Sequence, residues 1–332
     1  MVYIYKKPVG ENVYYYLRAS ERKNGKIITK DIAYLGSSLD EVKNKLEKLP
    51  KYSGEIRRAY KTIHNFLESN RYLEKARALK LKKDSFLQAK TADVEACRIH
   101  YLSDFKKNEE LTKKEIIKNF VIEFAFNTTS IEGNTIKLEE AKKLLEEGLT
   151  PKDKSLREIY DVKNTEKVFL SLLKSKEEIN HNLIIRIHKE LMDNIDVRVG
   201  YRRTDIRVIK ANFKATPAPY VKTDMDLLLR WHKENKNKIH PLALASVFHH
   251  KFEKIHPFMD GNGRTGRMLL DYILMINNYP PLIIHKKNRL EYLNALRLAD
   301  KSDLTKSNKE DYQKLVDFIA EEMLNSYWNL FL

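Results

Sequence analysis

The chain of 332 residues reads as mainly α-helical, preceded by a small β-hairpin-plus-helix N-terminal region, and three observations carry that reading. From about Ala92 to the C-terminus, apolar residues recur at helical spacing. Near the start, Val13, Tyr15, Leu17 and Ala19 alternate with other residues and lead into an Asn24-Gly25 turn signal. Between Gly200 and Val221 the helical pattern is broken by β-branched and turn-forming residues, as expected of an irregular hairpin.

Taken in order, the first strand is followed by a second from Lys26 to Leu35, closed by Gly36. Lysine-rich helical segments run from about Ser38 to Lys48 and from Gly54 to Leu81, punctuated by Pro50 and Gly54. The expected organisation is a β-containing region over 1–52, a basic helical connector over 53–91 and a helical domain over 92–332. Ile117, Val121, Phe124 and Ala125 mark the apolar side of a helix over 113–133, with Gly133 suited to a left-handed C-cap. Leu244, Val247, Phe248, Phe252 and Ile255 mark another, and Leu269, Tyr272, Ile273 and Ile276 continue it until Pro280-Pro281.

Hydrophobic content of 42% supports a real core, and one cysteine, Cys97, excludes an internal disulfide framework and suggests a reducing compartment. No apolar run reaches signal-peptide length or the ~18 residues of a membrane span, so a soluble cytoplasmic protein with no membrane partner is expected. The net charge of +16 is uneven: residues 1–100 hold 22 Lys/Arg against 12 Asp/Glu. Such a region suits a nucleic acid or an acidic protein, and a lysine-rich solvated surface, the plainer reading, has the same composition.

Between these helical patterns lies HPFMDGNGRTGR, His256 to Arg267. A metal-bound phosphate needs a carboxylate for the cation, which Asp260 supplies, and backbone N–H groups open to oxygen, which Gly261-Asn262-Gly263 supplies. A helix starting there would present its positive end to the same anion, with Arg264 and Arg267 on one face. His256 is placed to take a proton from a nucleophile. A glycine turn with solvated arginines accounts for the glycines but not for His, Asp, Asn and two Arg together.

The segment resembles the signature of the Fic family, H-P-F-x-[D/E]-G-N-G-R-x-x-R, at every specified position. The resemblance implies a Fic-type helical bundle that transfers AMP from ATP to a Ser, Thr or Tyr hydroxyl of a protein, itself included. It implies His256 as the base, Asp260 as the Mg²⁺ ligand and Gly261 to Gly263 as the anion hole. Arg264 would contact the α- and β-phosphates and Arg267 the γ-phosphate, with Pro257 and Phe258 structural. The interruption over 200–221 then corresponds to the family's flap, with Val208, Ile209 and Phe213 as the residues that dock a target by strand addition. Asn288 and Tyr292 fit the segment that follows the motif and would lie near the nucleotide. Helical members often dimerise, so a homodimer is open to test.

Thr128-Thr129-Ser130-Ile131-Glu132-Gly133 is a second motif. A glutamate at a helix C-terminus faces the negative end of the dipole, so Glu132 should seek a cation or have a task. The segment is similar to the family's inhibitory pattern [S/T]-x-x-x-E-[G/N], in which Thr128 and Glu132 hold the defining places and Glu132 would obstruct the γ-phosphate site by pairing with Arg267. Lying in the same chain, it implies self-inhibition. The rival reactions are removal of AMP with Glu132 positioning a water, and phosphate transfer, which a divergent branch performs after altering the glycine intact here as Gly263. A rival of another class is a nucleic-acid-binding regulator acting through residues 1–90. His240, His249, His250 and His256 match no zinc spacing.

Overall fold

The computed structural model describes residues 2–23, 25–82, 84–206 and 214–332. The chain forms two compact units, residues 1–81 and 82–331.

In the first unit, β1 (Val2–Val9), β2 (Asn12–Lys23) and β3 (Lys26–Gly36) form an antiparallel sheet in the order β1-β2-β3. The expected hairpin is β2–β3; β1 is an addition to it. Its first half buries Val2 and Ile4, but Lys6-Lys7-Pro8 then obscures the alternation, and an edge strand is where a sheet tolerates proline. Pairing runs from Val9↔Asn12 to Val2↔Ala19. Beyond it β2 and β3 continue alone, through Ser20↔Thr29 to Lys23↔Lys26, as a two-stranded ribbon.

α1 (Leu39–Glu47), α2 (Ser53–Arg58) and α3 (Tyr60–Ala78) complete the unit. Ser38 caps α1 by accepting from the Glu41 N–H, and Glu41 Oε2 accepts from the Ser37 N–H at 3.0 Å. Tyr15, Leu17 and Leu35 from the sheet meet Val42, Ala59 and Ile63 in the core. The stretch expected as a connector over 53–91 thus contributes core residues here.

The second unit is helical: α4 (Thr91–Ser103), α5 (Glu110–Ile131), α6 (Leu138–Glu147), α7 (Leu156–Leu172) and α8 (His181–Leu191) precede α9 (Val221–Asn235). α10 (Pro241–Ile255), α11 (Asn262–Ile276), α12 (Arg289–Ala299) and α13 (Lys309–Leu330) follow. Every residue from Leu242 to Phe252 is buried, as is every one from Arg264 to Leu274, so α10 and α11 are the central helices. A helix apolar all round belongs inside, and α10 places only Ser246, His249, His250 and Lys251 among its buried polar residues.

Each of those polar groups is engaged. His249 Nε2 lies 2.6 Å from the Tyr292 hydroxyl, and His250 lies 3.1 Å from both Tyr312 Oη and Asp300 Oδ1. Lys251 Nζ donates to the carbonyls of Asp303, Leu304 and Lys306 at 2.6–2.9 Å, and Lys254 Nζ to those of Asp300 and Ser302 at 2.6 Å. Two lysines of α10 therefore hold the chain between α12 and α13. Burial drives the Lys251 pKa down to about 8. No helix among the described residues is long and apolar enough to cross a membrane.

Candidate active site

α10 ends in a left-handed turn at His256, with φ 54° and ψ 61°, and its N–H returns to the Phe252 carbonyl at 3.0 Å. That conformation costs a non-glycine residue roughly 1–2 kcal/mol, so the surroundings must impose it. They do so from two sides. The Glu253 carbonyl lies 3.2 Å from His256 Nδ1, which must therefore carry the proton, leaving Nε2 as the free base. Burial lowers the His256 pKa, although the Glu253 carbonyl, Glu132 and Asp260 pull the other way, so the imidazole is neutral near pH 7. The second side is Arg202, whose Nε donates to the His256 carbonyl at 2.8 Å.

The turn from Phe258 to Asn262 closes on the Asn262 side chain, which accepts from the Phe258 N–H at 2.9 Å and donates to its carbonyl at 2.8 Å. Asn262 thus spends its amide on shaping the turn, and only its backbone N–H remains for an anion. Gly261 has φ +74°, and a Cβ there would come within 2.6 Å of Met192 Sδ, so glycine is required twice over. α11 starts at Asn262, one residue earlier than a separate glycine nest would allow, so Gly263 is helical. The first N–H to return to a carbonyl is that of Thr265, which reaches Gly261 at 3.0 Å. The N–H groups of residues 262–264 therefore form the open first turn of a buried helix, a site made for an anion.

Gly263 is needed for a different reason: a Cβ at that position would run into the Glu132 carboxylate. The family resemblance implies an anion-hole glycine; packing adds close approach by the carboxylate that ends α5.

Both motif arginines are held by carboxylates. Arg267 Nε donates to Thr128 Oγ1 at 2.7 Å, and its Nη2 donates to the Thr128 carbonyl at 2.9 Å and to Glu132 Oε1 at 2.7 Å. Burial opposes the charge on Arg267, but the Glu132 carboxylate more than offsets it and raises the pKa. Glu132 answers in kind: burial raises its pKa, Arg267 outweighs that, and the net direction is down. Arg264 Nη1 donates to Asp161, and its Nη2 lies 3.5 Å from Asp260 Oδ1. Burial pushes the Arg264 pKa down to about 10. Asp260 is also bonded to Arg157.

Glu132 stands at the C-cap of α5, as its sequence position suggested, and Gly133 follows with φ +107°. The end of α5 is anchored by Arg289 Nε, which donates to the Ile131 carbonyl at 2.7 Å, and by the Lys286 N–H on Asn127 Oδ1 at 2.9 Å. Past the glutamate, Asn134 Nδ2 donates to the Glu158 carbonyl at 2.9 Å, and Thr135 N–H to Glu158 Oε1 at 2.9 Å. The Thr135 hydroxyl, which contributes most, the Thr135 N–H and the N–H and hydroxyl of Ser155 all donate to the Glu158 carboxylate and, against the cost of burial, bring its pKa down to about 2. The Glu132 segment is thereby fixed on both sides.

His256, Asp260, Gly261, Asn262, Gly263, Arg264, Arg267 and Glu132 all line one pocket of about 530 Å³, which Tyr292 and Arg289 also border. Thr128 lies behind Arg267 and outside this pocket, buried to 3% exposure. Asn288 is bonded to Glu322 and does not line it. Val208, Ile209 and Phe213 lie outside the described residues. The flanking chain approaches α9 through a short 3₁₀ turn, Ala218–Tyr220, and among the described residues over 200–221 there is no strand.

Several site residues escaped the sequence. Arg157 and Asp161 are four apart on α7, a spacing that aims both at one neighbour, but nothing local names that neighbour as α11. His188 stacks on Phe258 at 3.6 Å between centroids and donates Nε2–H to the Asp260 carbonyl at 3.0 Å. Its place in the apolar stripe Leu183, Ile184, Ile187, Leu191 was a legible signal. Glu253 Oε1 is buried without a hydrogen-bond partner, and burial raises its pKa to about 8, with Arg267 lowering it and Glu132 raising it.

A single carboxylate beside a phosphate site fits Mg²⁺, which retains several waters and takes phosphate oxygens as further ligands. Of the carboxylates that line the pocket, Glu132, Glu253, Asp260 and Asp300, Asp260 is the one in the turn leading into α11, and no group of three metal-ligating side chains exists among the described residues.

Residues 178–274 match the profile of the Fic/DOC family. The chain is 34% identical over 188 residues to protein adenylyltransferase fic-1 of Caenorhabditis elegans, covering 54% of this chain and 37% of that protein. It is 32% identical over 214 residues to protein adenylyltransferase Fic of Drosophila grimshawi, covering 61% and 41%. The chain thus spans about two fifths of the length of these curated relatives. Among solved structures, a Fic domain containing signaling protein from Bacteroides thetaiotaomicron superposes with TM-score 0.65 at 22% identity, over 70% of this chain and 94% of that one. Fic-1 from C. elegans superposes with TM-score 0.59 at 24% identity, over 87% and 80%. These show a common fold.

Proposed function

For a chain that carries a Fic domain, we propose transfer of AMP from ATP to a protein hydroxyl, restrained in the resting state by Glu132. The observation that carries the reading is the meeting, in one pocket, of a neutral histidine with a free Nε2, an open helix N-terminus and two buried arginines. In this reading the hydroxyl oxygen bonds to the α-phosphorus while its proton passes to His256 Nε2. The bond from the α-phosphorus to the bridging oxygen breaks, and pyrophosphate leaves. Charge building on the phosphates falls on the first-turn N–H groups of α11 and on Arg264 and Arg267. Asp260 would hold Mg²⁺, which spreads phosphate charge.

Glu132 opposes this by occupying Arg267 and by filling the space over Gly263. Incubation of Glu132→Gly with α-labelled ATP and Mg²⁺ is expected to raise labelling of the protein itself above wild type, and His256→Ala to abolish it. Equal labelling in wild type and Glu132→Gly, both folded, would end the inhibitory reading. Intact-mass measurement of the same samples reports whether an AMP group or a phosphate is added. Because Glu132 reaches into the same pocket, AMPylated protein returned to wild type and to Glu132→Gly tests the reverse reaction.

A second reading concerns the first unit, and the ribbon of β2 and β3 favours it. Arg22, Lys23, Lys26 and Lys30 are exposed on a two-stranded element that has no third strand beside it among the described residues, and the major groove of a duplex admits such a ribbon. Salt-dependent duplex binding by the full chain, weakened by Lys23→Glu with Lys26→Glu, is the expected outcome. Absence of binding at low salt removes this reading.

A further inference from the structure

Arg202 is fully buried in its side chain, and the carboxylate it pairs with, Asp205, stands off at 3.9 Å and is largely exposed. Its donors go instead to backbone carbonyls. Nε reaches His256 at 2.8 Å, Nη1 reaches Thr204 at 3.2 Å, and Nη2 reaches Thr216 and, at 3.4 Å, Ile255. Its own N–H donates to the Pro257 carbonyl at 2.9 Å. The carbonyls of Ile255, His256 and Pro257 thus all point at one residue.

Burying a cation with only a distant, solvated counter-charge is costly, and a buried cation that serves only packing is readily replaced by an apolar side chain. What the guanidinium provides, and an apolar group cannot, is a rigid plane of five donors. That plane satisfies carbonyls left unpaired where α10 ends and the chain turns left-handed. The same plane joins this turn to Thr204 and Thr216, the described chain on either side of residues 207–213. Thr216 is itself fixed, its Oγ1 donating to Asp224 Oδ2 at 2.6 Å.

We infer that Arg202 is the positioning residue of the base: it holds His256 in the left-handed conformation that presents Nε2 to the pocket, and it locks that conformation to Thr204 and Thr216. Arg202 does not line the pocket that holds the phosphate-binding residues, so nucleotide binding is outside its reach. The inference rests on His256 being the base.

The test uses the full chain in the Glu132→Gly background, with self-labelling by ATP as the readout. Arg202→Met is expected to lower the rate at saturating ATP by about 10–100-fold, since a misplacement of ~1 Å in a reacting group costs about that much. The ATP concentration for half-maximal rate and the affinity for ADP should stay as they were. Arg202→Lys, which keeps a donor for some of the carbonyls, should recover part of the rate. A full rate in Arg202→Met, or a loss that appears only as a higher ATP requirement, overturns the inference. If Arg202→Met does not fold, Arg202→Lys decides: a slower rate at unchanged ATP requirement supports the role, and an unchanged rate overturns it. Labelling that persists in His256→Ala overturns the base assignment and the role of Arg202 with it. Labelling lost in His256→Ala but kept in both Arg202 variants overturns the role of Arg202 alone.

Discussion

Arg267 Nη2 and Glu132 Oε1 stand 2.7 Å apart, yet the two side chains are unequally exposed, 4% for the arginine and 44% for the glutamate. Thr128 accounts for much of the difference, because it receives Arg267 through both its hydroxyl and its carbonyl from the buried side. The guanidinium is therefore oriented independently of Glu132, and the carboxylate is the member free to leave. At the C-terminus of α5 it also faces the negative end of a helix dipole, which offsets part of its attraction to the arginine.

This division of labour predicts different outcomes for the two residues. Thr128→Val leaves the Glu132–Arg267 pair in place and strands the Nε donor of Arg267. It should cost about 1–3 kcal/mol of stability without raising AMP transfer. A thermal melt and a labelling assay on one preparation check both halves; a labelling rise equal to that of Glu132→Gly contradicts the assignment.

The pH dependence of labelling should report His256. Burial places its pKa below the ordinary histidine value, so the rate should hold from neutral pH down through pH 6.5 and fall only in more acid solution. The Glu132 charge raises that pKa, so Glu132→Gly should move the acid limb lower still. An acid limb above pH 6.5 would count against the environment described for the ring.

Glu253 gives a stability signature of the opposite kind. Its pKa of about 8 in the fold lies above the unfolded carboxyl value, so the folded state binds the extra proton between the two. Stability from this group is complete below about pH 4.3 and is lost as pH rises through about 8. Glu253→Gln should therefore lose less melting temperature between pH 5 and pH 8.5 than wild type, and parallel melting curves for the two would contradict the burial of this carboxyl.

Gly266 faces the same group. A Cβ there would lie 2.5 Å from Glu253 Oε1 and 2.9 Å from His249 Nδ1, both closer than real Cβ contacts allow. Gly266→Ala should destabilise by about 1–3 kcal/mol, the usual cost of overpacking, although alanine favours a helix. A melting temperature at or above wild type would show that the pair yields.

What could be read from the sequence was local or repeated. The faces of α10 and α11, the HPFMDGNGRTGR turn between them and the C-cap at Glu132 all declare themselves within a dozen residues. The pairing of Glu132 with Arg267 spans 135 residues and was legible only through the family resemblance. Asp161 and Arg202 were not legible, because a buried charge is explained only by the partner opposite, and those partners lie 103 and 54 residues away; Arg157, half exposed, meets a partner 103 residues away that nothing local announces. β1 was missed because Lys6, Lys7 and Pro8 interrupt the alternation that Val2 and Ile4 begin.

The carboxylate at the end of α5 and the guanidinium on α11 belong to one polypeptide, and that fact has a thermodynamic consequence. A tethered group meets its partner at an effective concentration fixed by chain geometry, on a scale that dilution does not touch. Under the proposed reading, restraint of this kind is the same per molecule at nanomolar and at millimolar protein, and no rise or fall in expression can titrate it. Its strength is an equilibrium constant of the fold, so whatever frees Arg267 has to bind the two states of residues around Glu132 unequally.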